Sequence, residues 1–114
     1  MERKVADADV FLAFSSSEPA GYLRLEWLWP RLPYVELIWV LESHRRSGVG
    51  RALLAHVEAK LTSRGHAALY SSSQAAEPGP QAWHRRMAFD ECCFIAGLNP
   101  GGVGEVFFGK ALGP

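Results

Sequence analysis

The sequence predicts an α+β domain with a mixed sheet, on three observations. Apolar and polar residues alternate before residue 42, as strands require. The period changes to that of an amphipathic helix from Gly48. Beyond Gly65, short apolar runs alternate with one further helical stretch. At 114 residues the chain is the size of a single domain, spanning 1–114.

The first strand is the apolar run Asp9 to Phe14, followed by the turn residues SSSEPAG. The second runs from Gly21 to Trp29. It places Leu23, Leu25, Trp27 and Trp29 on one face and Tyr22, Arg24, Glu26 and Leu28 on the other, and Pro30 and Pro33 close it. Tyr34 to Leu41, YVELIWVL, is a third strand in which Glu36 is the only charge. Val49, Leu53, Val57 and Leu61 then recur every four residues, a helix of roughly four turns that Gly65 ends. Ala67 to Ser72 reads as a strand. Pro80 suits the first turn of a short helix on which Trp83 and Met87 stand four apart. Cys92 to Ala96 and Glu105 to Phe108 are two last strands, joined through GLNPGG as a hairpin.

Composition narrows the function. Hydrophobic residues make up 48%, enough for a core. Twelve basic residues balance twelve acidic ones, so no global field holds nucleic acid or an anionic membrane, and an anion site must be local. MERKVADADV lacks the pattern of a signal peptide, and no apolar run reaches the ~20 residues of a membrane span. Cys92 and Cys93 are read as reduced thiols in a strand, and the expected location is the cytoplasm. His44, His56 and His66 show no metal-ligand spacing, and no metal is expected.

A local anion site is offered by SHRRSGVGRALL, Ser43 to Leu54. The first turn of a helix leaves backbone N–H groups without internal partners, and the helix dipole adds positive charge there. Gly48 and Gly50 let a phosphate approach the backbone, while Arg45, Arg46 and Arg51 add cationic side chains. The P-loop pattern fails because Arg51 and Ala52 follow Gly50. The dinucleotide fingerprint fails because position 53 is Leu.

The stretch YVELIWVLESHRRSGVGRALLAHVEAKLTSRG resembles the acetyl-CoA-binding core of the GNAT acetyltransferases. Their pattern is Arg/Gln-x-x-Gly-x-Gly/Ala, a few residues after an apolar strand ending in Val. Arg45, Gly48, Gly50 and Val40 match it. Downstream, AWHRRMAF offers Trp83, His84, Ala88 and Phe89 where the family has an aromatic, Tyr, Gly and Phe. The resemblance covers about residues 8–112. It implies a mixed, mostly antiparallel central sheet with flanking helices. Family members usually begin with a strand and two helices, which this sequence lacks, having about seven residues before its first strand.

The resemblance also implies a chemistry. The backbone of Ile38, Trp39 and Val40 would pair with the pantetheine arm of acetyl-CoA as an added strand does. Arg45, Arg46, Ser47, Gly48, Val49, Gly50 and Arg51 would wrap the pyrophosphate. The third strand and the Ala67–Ser72 strand would splay to admit the cofactor. Glu36 matches a carboxylate position used as general base, and the alternative for it is a charge pair with Arg24. His84 stands where the family's Tyr protonates the departing thiolate; its alternative is packing. Ala88 replaces the usual Gly, and Glu77 a frequent Asn. The function implied is transfer of acetyl from acetyl-CoA to a primary amine of a small molecule or peptide. The alternative is an acyl-CoA-binding or assembly module with little turnover. A homodimer is expected, because without the front elements one face of the sheet lacks cover.

Overall fold

A computed structural model describes residues 2–5, 8–45 and 47–113, with side chains from residue 9 onward. Arg46, one of the predicted pyrophosphate ligands, lies outside the described residues. Among the described residues, seven strands form one sheet in the order β1-β2-β3-β4-β5-β7-β6. They are β1 (Glu2–Val5), β2 (Ala8–Ser15), β3 (Glu18–Leu28), β4 (Leu32–Val40), β5 (Ala68–Gln74), β6 (Asp90–Ile95) and β7 (Glu105–Ala111). The helices are α1 (Val49–Ser63) and α2 (Pro78–Arg86). Only β4 and β5 pair in parallel; the other neighbours are antiparallel, so the sheet is mixed and mostly antiparallel as expected.

Two expectations need correction. A strand precedes Asp9: β1 pairs with β2 from Val5↔Ala8 to Glu2↔Phe11. Four residues, three of them charged, are too few to show alternation, and the free edge of β2 organises them. Trp29 does not continue the buried face of β3. The strand ends at Leu28, and Trp29 turns left-handed at φ 47 with 73% of its surface exposed.

The core forms on one face of the sheet. Leu53, Leu54, Val57 and Leu61 of α1 bury against Phe11, Leu23, Leu25, Val35, Leu69 and Phe108, with Trp83 and Met87 beside them. The spacing of the α1 residues explains the helix: they form one apolar stripe, and packing it against the sheet supplies most of its stability. On the other face Tyr22 meets Trp39 with ring centroids 6.0 Å apart, and Leu37 and Trp39 stay 41% and 42% exposed.

β4 carries the irregularity that shapes the site. Leu25 pairs with Val35 and Arg24 with Leu37, so Glu36 is the extra residue of a β-bulge. A bulge bends its strand and increases local twist. The effect appears on the other side of β4. Its parallel pairing with β5 covers only Tyr34↔Tyr70 and Val35↔Ser71, although β4 runs on to Val40 and β5 to Gln74.

Candidate active site

The divergence of β4 and β5 opens a groove of about 1230 Å³, bounded by both strands, the start of α1 and one side of α2. Of the predicted site residues, Glu36, Ile38, Trp39, Val40, Arg45, Gly48, Val49, Gly50, Arg51 and His84 line it. Ser47 does not line it; its hydroxyl donates to the His44 carbonyl instead. The groove reaches both faces of the sheet. Ser71 and Ser73 line it from the helix-covered face, and Ser72 and Glu105 from the other.

One end presents unpaired backbone donors. Gly48 caps α1 at φ +87 with no side-chain cap, and the first intrahelical bond runs from Ala52 N to Gly48 O. The N–H groups of Val49, Gly50 and Arg51 therefore have no partner within the helix. Gly48 is required by its left-handed backbone. Gly50 is different. A Cβ there would meet only Val40 Cγ2 at 3.7 Å and Trp83 Nε1 at 4.0 Å, ordinary contacts, so the protein's own packing does not demand glycine. A bare backbone facing a groove at an uncapped helix start fits a phosphate, and the residues present suit the pyrophosphate of acetyl-CoA. Arg45 is partly committed: its Nε donates to the Val40 carbonyl at 3.0 Å. Because Leu41 N bonds Ala20 on β3 at 2.8 Å, peptide planarity turns that carbonyl toward the open edge of β4.

At the other end stand the carboxylates. Glu36 Oε1 lies 3.3 Å from Arg24 Nε, and both side chains are about 40% or more exposed. The charge-pair alternative is thus realised in geometry, at a strength of about 0–1 kcal/mol that an incoming cation can exceed. Across the groove, Ser72 Oγ donates to Glu105 Oε2, and Asn99 Nδ2 donates to Glu105 Oε1 at 3.0 Å. With its proton so placed, Ser72 accepts from the Tyr34 hydroxyl at 2.6 Å. Burial raises the Tyr34 pKa; the Ser72 bond opposes this, while the charges of Glu105, Glu36 and Glu26 reinforce it. Tyr34 thus stays a neutral donor amid three carboxylates.

His84 is 4% exposed and lies flat on Phe108, with ring centroids 4.3 Å apart. Its Nδ1 donates to the Pro80 carbonyl at 2.8 Å, which leaves Nε2 to accept from the Ser71 hydroxyl at 2.7 Å. Burial pushes its pKa down, more than the Pro80 bond and the Glu105 charge pull it up. The ring is neutral and both nitrogens are engaged. Ala88, in the family's glycine position, adopts φ 68. The sequence reading missed Ser71, Ser72, Ser73, Asn99 and Glu105. A run of three serines inside a strand was the available signal, since such a run must find partners. Among the described residues, no group of three His, Cys, Asp or Glu could hold a metal, and no helix is long and apolar enough to cross a membrane.

Residues 2–89 match the acetyltransferase (GNAT) family model. Nourseothricin acetyltransferase is 28% identical with a TM-score of 0.78, the match covering 94% of this chain and 66% of that one. The ribosomal-protein-S18-alanine N-acetyltransferase of Escherichia coli is 20% identical with a TM-score of 0.81, covering 97% and 73%. A GNAT acetyltransferase of Elizabethkingia anophelis, solved with acetyl-CoA bound, is 17% identical with a TM-score of 0.80, covering 93% and 77%. No curated protein sequence matches the chain significantly. Splayed strands, an uncapped glycine-led helix and the family match over most of the chain agree: the chain belongs to the acetyltransferase (GNAT) family, the acyl-CoA N-acyltransferases.

Proposed function

We propose that this chain transfers the acetyl group of acetyl-CoA to a primary amine of a small molecule or peptide. The observation that carries the reading is the groove itself. An anion-binding helix start lies at one end and carboxylates at the other, joined by a β4 edge that pairs with no strand beyond Val35. In this reading the first-turn N–H groups of α1 hold the pyrophosphate. The open edge at Ile38 and Trp39 pairs with the pantetheine arm, and Arg45 shares the Val40 carbonyl. The thioester carbonyl supplied by acetyl-CoA is the electrophile.

Glu36 acts as the base. An ammonium entering from the open face competes with Arg24 for its carboxylate, gives up a proton and becomes nucleophilic. Glu26, Glu36 and Glu105 around Tyr34 favour a cationic acceptor, and acetyltransferases of nourseothricin and of a ribosomal-protein alanine are among the similar structures. One observation favours the second reading, an acyl-CoA-binding module with little turnover. His84, in the position of the family's acid, holds its proton toward Pro80 and faces Ser71 only as an acceptor. The reading also includes a homodimer that covers Leu37 and Trp39, and a cytoplasmic location, which the free thiols of Cys92 and Cys93 suit.

Calorimetric titration with acetyl-CoA, followed by thiol release with a panel of amines, tests the reading. Wild type should bind, and Gly48→Asp, which sets a carboxylate against the phosphate and a side chain at φ +87, should not. Equal binding by a folded Gly48→Asp variant refutes the phosphate site. Binding without thiol release for any amine selects the second reading.

A further inference from the structure

The groove wall carries one polar atom that the fold leaves alone. Among the described residues, Ser73 Oγ is the buried side-chain oxygen with no hydrogen-bond partner. The residue is 6% exposed and lies on the groove. Its neighbours are satisfied: Ser71 by His84, and Ser72 by Tyr34 and Glu105. A buried hydroxyl without a partner destabilises the fold that contains it, so an orphan in a ligand groove points to a bond made on binding.

Register says which part of the ligand meets it. Val35 pairs with Ser71 in the parallel ladder, and Ser73 follows two residues on, just past the level of the Glu36 bulge on the opposite bank. That is the middle of β4, short of the Val40 end that leads to the phosphate-binding turn at Gly48–Arg51. A serine hydroxyl can donate or accept, and a carbonyl group of the ligand would take its proton. The acyl end of the cofactor offers such a group. Rotation about the single Cα–Cβ bond carries a serine hydroxyl among three staggered positions, so its present enclosure is no barrier.

We propose that the Ser73 hydroxyl donates a hydrogen bond to the thioester carbonyl oxygen of bound acyl-CoA, polarising it toward attack. The inference rests on the reading that the groove takes acyl-CoA. As the amine adds, negative charge grows on that oxygen, and a donor already in place stabilises it more than it stabilises the ground state. Ser73 is then a catalytic residue, marked in the sequence only by the run of three serines to which it belongs.

Ser73→Ala, titrated with acetyl-CoA and with CoA lacking the acyl group, separates the outcomes. Wild type should bind both. The variant should bind acetyl-CoA roughly three- to tenfold more weakly and CoA with unchanged affinity. The carbonyl stretch of bound acetyl-CoA should move to higher frequency in the variant, as the bond is no longer polarised. Without ligand, the variant should melt at or above the wild-type temperature, because it has lost an unsatisfied buried group. Equal weakening for both ligands would assign the bond to a part they share and overturn the thioester assignment. Unchanged affinity and frequency would overturn the proposal outright. Failure of wild type to bind either ligand would instead remove the acyl-CoA reading on which it depends.

Discussion

Replacing Ser71 with alanine should destabilise the protein through His84. Ser71 is 3% exposed and donates to His84 Nε2 at 2.7 Å, while Nδ1 is tied to Pro80. In Ser71→Ala the Nε2 lone pair stays buried with no donor, at a cost of about 1–3 kcal/mol. Unfolding entropy near the melting temperature is about 2.1 cal/mol/K per residue, or about 240 cal/mol/K for this chain, so a 2 kcal/mol loss lowers the melting temperature by about 8 °C. His84→Phe preserves a flat ring on Phe108 and deletes the acceptor. In that background Ser71→Ala should cost at least about 1 kcal/mol less, the difference being the coupling in a double-mutant cycle. Scanning calorimetry of the four proteins measures it. Equal costs of Ser71→Ala in both backgrounds would refute the buried pair. The same proteins test protonation. Burial lowers the folded His84 pKa, so below about 6.5 the unfolded ring takes up a proton that the folded ring refuses. Stability therefore falls as pH drops below about 6.5, until the folded pKa is reached. His84→Phe should flatten that part of the profile.

Glu36→Gln should lower kcat by about 100-fold or more and leave the acetyl-CoA Kd nearly unchanged, as pre-steady-state kinetics and calorimetry would show; unchanged kcat would make Glu36 only a partner of Arg24. Ala88→Gly should stabilise the fold by about 0.5–1 kcal/mol in urea titration, since relief of the left-handed alanine at φ 68, about 1–2 kcal/mol, exceeds the added unfolded-state entropy of glycine. Light scattering at micromolar concentration should give twice the 12.6 kDa chain mass, with Trp39→Lys shifting it to monomer; a monomeric wild type that binds acetyl-CoA fully would refute the dimer.

The fold class and the glycine-led, uncapped start of α1 could be read from the sequence because both are local. Strand alternation, the four-residue recurrence of Leu53, Val57 and Leu61, and glycines at a helix start state their geometry within a few neighbouring residues. A left-handed Gly48 and an uncapped first turn need only the chain on either side of them. The polar wall of the groove depends on residues far apart in sequence. Tyr34, Ser72, Asn99 and Glu105 form one hydrogen-bonded chain only because β4, β5 and β7 lie side by side. The strand β1 and the exposure of Trp29 likewise came from pairing and turn geometry that alternation does not encode. His84 shows the difference most directly. Its position on α2 follows from the sequence, but whether its ring can give a proton depends on Pro80, Ser71 and Phe108 enclosing it. Burial disfavours the charged ring, and that burial exists only in the assembled core.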